Sequence, residues 1–129
     1  MTEAAKKQIM IVDDAALVRL FYRDALERAG FVVAEAVNGV EALEKLLLLP
    51  VDLLIVDINM PKMDGLTFLR RLRKMTSAIA AIPALVTSTE AGPQDRAAAL
   101  AAGANFYLVK PAAPEILARC AAMLCGQTA

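Results

Sequence analysis

Short apolar runs alternate with longer amphipathic segments along the whole chain, in five cycles. Each run holds three to six residues, and several are rich in β-branched side chains. Runs of this length and composition are typical of strands that are buried on both faces of a sheet. The pattern therefore predicts five buried strands, at residues 9–12, 31–36, 53–56, 84–86 and 106–109.

Apolar residues in the longer segments recur at the three- and four-residue spacing of an amphipathic helix. In the first segment this spacing places Phe21 and Tyr22 on the face that we expect to be buried. Pro50 prevents a helix from continuing, and Pro93 suits a first helical turn. Five helices are predicted: residues 15–29, from 39 to the leucine block at 46–49, 65–75, 93–103 and 114–124.

Five strand–helix repeats predict parallel strands joined by right-handed crossovers, with helices on both faces of the sheet. For a chain of 129 residues, the expected architecture is a doubly wound α/β sandwich with the flavodoxin-like strand order 2-1-3-4-5. This length fits one domain. We therefore expect a single domain over residues 1–129, with an ordered core at about 8–124 and loose ends at 1–7 and 126–129.

Charge and hydropathy exclude several classes of partner. Fourteen Lys and Arg balance fourteen Asp and Glu, so no global field favours nucleic acid or an anionic membrane. The longest apolar run, residues 78–86, has nine residues, well short of the roughly 18 needed to cross a bilayer. The first run ends after four residues at Asp13, which is too short for a signal peptide. We expect a cytoplasmic protein with no nucleic-acid or membrane partner.

The amino-acid composition also excludes several kinds of chemistry. The chain has no histidine, so Ser-His-Asp catalysis and histidine-ligated zinc are excluded, and any phosphohistidine must belong to a partner. Its two cysteines, Cys120 and Cys125, lie near the end of the last helical pattern. Their spacing indicates neither a disulfide framework nor a metal cluster.

Polar residues follow four of the five predicted strands: Asp13 and Asp14, Asp57, Thr87 and Lys110. Ligands of such sheets bind at the carboxyl ends of the strands, close to the point where the strand order reverses. Taken alone, Asp14 is better explained as a helix cap. Taken together, the five residues predict three carboxylates, one hydroxyl and one ammonium at a single edge of the sheet.

Three neighbouring carboxylates repel one another, by about 4 kcal/mol per pair at 4 Å and an effective dielectric near 20. A hard cation such as Mg²⁺ would relieve this repulsion and leave coordination positions for phosphate oxygens. Lys110 would supply a second, fixed positive charge. A phosphoryl group could then be held from two sides while one carboxylate attacks phosphorus, and Asp57 is the candidate nucleophile.

Five motifs in order carry a family resemblance: IVDD at 11–14, LIVDINMP at 54–61, MDG at 63–65, VTS at 86–88 and YLVKP at 107–111. The chain resembles the receiver domain of two-component response regulators from about residue 8 to 124. Single motifs of this kind are weak, but the ordered set is highly specific. Because the chain starts with methionine and ends just after the fifth predicted helix, we expect a stand-alone, chemotaxis-type receiver.

The resemblance implies a phosphoryl site. Asp57 would accept a phosphoryl group from the phosphohistidine of a sensor histidine kinase or a histidine phosphotransferase. Asp14 would bind Mg²⁺ directly and Asp13 mainly through water, and the backbone carbonyl of Asn59 would complete the protein ligands. Lys110 would bond to the phosphoryl group. The domain would catalyse its own phosphorylation and dephosphorylation.

The resemblance also implies a switch. Thr87 would move toward the phosphoryl group, and Tyr107 would become buried behind it. This would alter a surface of the fourth predicted helix, fifth strand and fifth helix, where an output protein would dock on a monomer or weak dimer. We also expect a cis peptide bond between Lys110 and Pro111, as receiver domains commonly have.

Two other functions fit parts of the pattern. Phosphatases and phosphotransferases of the haloacid dehalogenase type also use an aspartyl nucleophile with Mg²⁺, but they need a second acid two residues later, where this chain has Asn59. A flavodoxin-like flavin carrier would need a loop rich in Ser, Thr or Gly after the first strand. Asp13 and Asp14 stand there instead and would repel a phosphate unless a metal ion intervened.

Overall fold

The computed structural model describes residues 6–126. Strands and helices alternate along this part of the chain: β1 (Gln8–Val12), α1 (Ala16–Arg28), β2 (Val32–Ala36), α2 (Gly39–Leu46), β3 (Leu53–Asp57), α3 (Gly65–Leu72), α4 (Ser77–Ala80), β4 (Ala84–Ser88), α5 (Pro93–Ala102), β5 (Phe106–Val109) and α6 (Pro114–Leu124). All five predicted strands and all five predicted helices are present. Most of the two predicted loose ends, residues 1–5 and 127–129, lies outside the described residues.

The five strands form one sheet with the order β2-β1-β3-β4-β5, and every neighbouring pair is parallel. The predicted doubly wound, flavodoxin-like architecture is confirmed. In the central register, Val12 lies level with Val56, and Asp57 lies level with Thr87. The carboxyl ends of β1, β3 and β4 therefore meet at one edge of the sheet.

Alternate residues of each strand face opposite sides of the sheet and build two cores. On one side, Met10, Val12 and Val56 pack with residues of α2, α3 and α5. On the other side, Ile11 and Ile55 pack with residues of α1 and α6. Both faces of the sheet are thus covered, which explains why its strands are continuous apolar runs.

The short helix α4 was not predicted. It is a single turn at the start of the longest apolar run, residues 78–86. Pro83 lies between this turn and β4. Arg73 holds this turn against the sheet, because its Nη1 donates to the carbonyl oxygens of Ala80 at 2.8 Å and Ile82 at 2.6 Å. The helix thus depends on contacts made from outside it.

The prediction for the first helix was half right. Tyr22 is buried in the core, whereas the side chain of Phe21 is 51% exposed. Phe21 lies at the rim of the buried face and lines an apolar groove with Leu17 and Pro111. Among the described residues, no helix has the length and apolarity needed to cross a bilayer.

Candidate functional site

The three predicted acids lie together at the carboxyl edge of the sheet. Asp13 directly follows β1, and Asp57 is the last residue of the neighbouring strand β3. One carboxylate oxygen from each of Asp13, Asp14 and Asp57 lies within 4.8 Å of the others. Asp13 is only 1% exposed and Asp57 6%, whereas Asp14 is on the surface. Three oxygen ligands open to solvent on one side suit a hard cation.

Lys110 joins two of these acids. Its Nζ lies 3.0 Å from Oδ2 of Asp13 and 3.0 Å from Oδ1 of Asp57. The lysine follows β5, and its backbone N–H donates to the carbonyl oxygen of Ser88 at 2.7 Å. The Lys110–Pro111 peptide bond is cis, as predicted. One ammonium thus contacts two of the three carboxylates, and the cluster keeps an excess of negative charge.

Burial and neighbouring charges set the ionisation of this cluster. Burial raises the pKa of Asp57, and the negative charges of Asp13 and Asp14 act in the same direction, against the hydrogen bond from Lys110. Burial alone would lower the pKa of Lys110, but its bonds to Asp57 and Asp13 raise it overall. Lys110 therefore remains an ammonium, while Asp57 is a buried carboxylate that an additional cation would stabilise.

The loop between β1 and α1 is held by the first acid. Oδ1 of Asp13 accepts a hydrogen bond from the backbone N–H of Ala15 at 2.9 Å. The N-cap of α1 is Ala15, and no side chain caps this helix end. The alternative interpretation of Asp14 as a helix cap is therefore wrong. Its exposed carboxylate is directed to the acidic cluster instead.

The loop after Asp57 lies unusually close to the strand that precedes it. The N–H of Gly65 donates to the carbonyl oxygen of Ile58 at 2.8 Å. A Cβ at position 65 would lie 2.5 Å from the carbonyl oxygen of Asp57, so only glycine fits without a backbone shift. The loop closes at Asp64, whose Oδ1 accepts from the N–H of Thr67 at 2.8 Å. These contacts fix the loop that follows Asp57 and carries Asn59.

Thr87 is a hydroxyl without a partner. Its side chain is completely buried, and Oγ1 has no hydrogen-bond partner of acceptable geometry, although the phenol of Tyr22 lies close to it. Because side chains alternate along a strand, Thr87 faces the same side of the sheet as Leu85, and Asp57 faces that side with Ile55. Unsatisfied buried hydroxyls are uncommon and call for an explanation. A phosphoryl oxygen on Asp57 would give this hydroxyl an acceptor.

Tyr107 lies on the opposite face of the sheet from Thr87 and packs in the core there. Its ring is already buried, with 6% of the residue exposed, whereas we expected its burial to follow a movement of Thr87. The phenol hydroxyl donates to the carbonyl oxygen of Glu90 at 2.7 Å, and the guanidinium of Arg96 lies 5.1 Å from the ring centre. The tyrosine therefore holds the loop between β4 and α5 in place.

Three residues near the site were not predicted to belong to it. Tyr22 from α1 is buried, and this burial raises the pKa of its phenol. Arg19 from α1 donates to the backbone carbonyl of Asp13 and forms an ion pair with Glu35 of β2. The sequence did hold a signal for this ion pair: Glu35 lies inside an apolar strand, and buried acids are uncommon unless they are paired.

Comparisons with known proteins agree with this geometry. The family described as "Response regulator receiver domain" matches residues 9–121. The chain is 39% identical over 112 residues to chemotaxis protein CheY1 of Helicobacter pylori, covering 85% of this chain and 90% of that protein. It is 38% identical to the transcriptional regulatory protein PrrA of Mycobacterium tuberculosis, covering 95% of this chain but only 52% of PrrA.

Some relatives are much longer still. The chain is 41% identical to the gliding motility regulatory protein of Myxococcus xanthus but spans only 14% of its length. Among solved structures, chemotaxis protein CheY4 of Vibrio cholerae superposes with a TM-score of 0.87 at 35% identity, covering 93% of this chain and 99% of that one. The similarity is therefore to one kind of domain, which occurs both alone and within longer proteins.

Proposed function

The chain belongs to the response regulator receiver family, and from this premise we propose that Asp57 is its phosphoryl-accepting residue. Receivers of this family are phosphorylation-activated switches of two-component signalling systems. The observation that carries the assignment is the surroundings of Asp57. Its carboxylate contacts the Lys110 ammonium, lies beside Asp13 and Asp14 and is level with the unpartnered hydroxyl of Thr87.

The acidic cluster fits Mg²⁺. The side chains of Asp13, Asp14 and Asp57 would hold the ion, with Asp13 acting mainly through water, and the backbone carbonyl of Asn59 would complete the protein ligands. When bound, the ion would neutralise charge that develops on the transferring phosphoryl group. The fit rests on three oxygen ligands within 4.8 Å of one another and on an excess of negative charge that remains after Lys110 is counted.

The phosphoryl donor is the phosphohistidine of a sensor histidine kinase or a histidine phosphotransferase. A carboxylate oxygen of Asp57 attacks phosphorus, the P–N bond breaks, and the donor imidazole leaves with the electron pair and takes up a proton. Lys110 bonds to a phosphoryl oxygen, and Thr87 donates to another. Because these residues position the phosphoryl group and neutralise its charge, the domain promotes its own phosphorylation and dephosphorylation.

The phosphorylated form would be recognised by an output protein. We assign the docking surface to α5, β5 and α6, because Tyr107 of β5 donates a hydrogen bond to the loop that follows β4, the strand of Thr87. Leu100 of α5 and Phe106 of β5 leave exposed apolar area there, at 55% and 36%. We further propose that residues 1–129 form one receiver domain with an ordered core at about 8–124. It would work in the cytoplasm as a monomer or weak dimer.

The proposed function is tested by mass spectrometry of the intact protein. With acetyl phosphate and Mg²⁺, we expect the mass to increase by one phosphoryl group, and fragmentation should locate this group on Asp57. With acetyl phosphate and EDTA, no increase is expected, because Asp13 and Asp14 would repel the incoming anion. A phosphoryl group on another residue, or equal phosphorylation in EDTA, would contradict the assignment.

Replacing Asp14 with alanine should weaken Mg²⁺ binding at least about tenfold, the scale already found when outer partners of metal ligands are lost. The fold should persist or become slightly more stable, because one of three mutually repelling carboxylates is removed. Titration calorimetry measures the affinity and urea unfolding the stability. Asp24→Ala is the control. It also removes an exposed carboxylate, but this one lies within α1 and is paired with Arg28 rather than with the acidic cluster. Loss of folding in Asp14→Ala alone would speak for a structural role instead.

A further inference from the structure

Arg19 connects the acidic cluster to a second ion pair beneath it. Its Nη1 donates to the backbone carbonyl oxygen of Asp13 at 2.7 Å, and its Nε lies 2.8 Å from Oε1 of Glu35. Only 15% of the arginine side chain is exposed. One guanidinium thus joins α1, β2 and the loop that carries the first two acids.

Glu35 is itself firmly held. Its other carboxylate oxygen pairs with Arg23, and its backbone carbonyl accepts from Nζ of Lys45 at 2.6 Å. Burial would raise the pKa of Glu35, but the bonds from Arg19 and Arg23 keep it below its usual value. Glu35 therefore stays ionised at neutral pH and anchors the guanidinium of Arg19 in one orientation.

The carbonyl that Arg19 binds belongs to the peptide unit between Asp13 and Asp14. The two neighbouring contacts are made by Asp13 itself: its N–H donates to the carbonyl of Ala36 at 3.1 Å, and its side chain accepts from Ala15. Because a peptide unit is planar, fixing its carbonyl oxygen also fixes the direction in which the chain enters Asp14. Asp14 is exposed, so burial does not fix its position.

We propose that Arg19, anchored by Glu35, is a positioning residue that holds the peptide between Asp13 and Asp14 so that both carboxylates face Asp57 before a cation binds. This inference rests on the proposed metal site. Without Arg19 the ion must order this loop as it binds, and ordering entropy then opposes binding. The arginine touches neither the cation nor the phosphoryl group.

The test compares Arg19→Ala with Arg23→Ala. Both variants remove an ion pair with Glu35, but only Arg19 contacts the peptide at Asp13. We expect the dissociation constant for Mg²⁺, measured by calorimetry on the full chain, to rise about tenfold in Arg19→Ala, within the range found for outer partners of metal ligands. In Arg23→Ala it should stay within about twofold of the parent value, because no contact to the acid pair is lost.

Hydrogen exchange without Mg²⁺ provides a second readout. The amides of Asp14 and Ala15 should exchange faster in Arg19→Ala and at the parent rate in Arg23→Ala. Unchanged affinity in Arg19→Ala, or an equal loss in both variants, would overturn the inference. If Arg19→Ala does not fold, Glu35→Gln takes its place as the test. The amide keeps the shape of the side chain but weakens the ion pair with Arg19. It should therefore lower the affinity for Mg²⁺ more than Arg23→Ala does. If the parent chain does not bind Mg²⁺, the proposed metal site itself is wrong.

Discussion

Asp57→Asn is expected to abolish phosphorylation by acetyl phosphate and the structural response to beryllofluoride. The amide has nearly the same size as the carboxylate but lacks the anionic oxygen that attacks phosphorus. The substitution also removes a charge that faces Lys110 and would face the cation. Intact mass should remain at the unmodified value with Mg²⁺ present, and amide NMR spectra should not change on addition of beryllofluoride.

The control for this substitution is Asp64→Asn, in the loop that follows β3. Asparagine caps helices about as well as aspartate, so the contact to Thr67 should persist and phosphorylation should proceed normally. Phosphorylation of Asp57→Asn at the parent rate would refute the nucleophile assignment. Loss of phosphorylation in both Asp57→Asn and Asp64→Asn would mean that a disturbed loop after β3, rather than the missing carboxylate of Asp57, explains the loss.

Asp57→Asn should also change how the free energy of unfolding depends on pH in the absence of metal. The pKa of Asp57 is raised in the folded protein, chiefly by burial, so the folded state binds a proton more readily than the unfolded chain does. The contribution of Asp57 to the free energy of unfolding is fully present below the pKa that it has in the unfolded chain. It is lost as the pH rises through the higher pKa that it has in the folded protein. The amide of the Asp57→Asn variant cannot ionise, so this loss should be absent, and urea unfolding in EDTA at neutral pH should show equal or greater stability.

The site was largely predictable because parallel strands end at a common edge. Once five apolar runs were recognised as neighbouring strands, Asp13, Asp57 and Thr87 had to converge there, and the register of β1, β3 and β4 bears this out. The order of the strands followed from the repeat of strand and helix. Little of this depends on the details of any side chain.

The remaining features depend on contacts between distant segments. The turn of α4 is stabilised by Arg73, and no pattern within four residues could reveal it. Phe21 satisfies the helical spacing for burial but lies at the rim, where it lines an apolar groove with Pro111. The pairing of Arg19 with Glu35 required knowing that α1 lies against β2. Periodicity assigns faces, whereas side-chain partners require the packed structure.

Thr87→Ala is expected to accept a phosphoryl group at Asp57 but to lose most of the phosphate-dependent change at Tyr107. Phosphorylation adds about 1.5 to 2 negative charges, and Thr87 is the buried donor that stands level with Asp57. Drawing its hydroxyl inward would move the loop after β4. Tyr107 binds that loop through the carbonyl of Glu90, so its aromatic NMR signals should report the movement.

Thr87→Ser is the matched control for the hydroxyl. It keeps the donor and removes only a methyl group, so the response of Tyr107 to beryllofluoride should be retained. Beryllofluoride is the preferred ligand, since it separates the switch from the lifetime of the phosphoryl group. A full parent-like response of Tyr107 in Thr87→Ala would show that the coupling proposed through Thr87 is wrong, even if Asp57 is phosphorylated.

The size of the remaining response follows from the energetics of a two-state switch. A change from 1:99 to 99:1 needs about 5.5 kcal/mol of differential affinity, whereas a hydrogen bond to a charged group contributes about 1.5 to 3 kcal/mol. The bond from Thr87 would therefore supply a substantial part of the shift, and Lys110 would supply little that is new because it already contacts Asp57. Removing the Thr87 hydroxyl should leave a mixed population, in which Tyr107 signals move only a minor fraction of the parent distance.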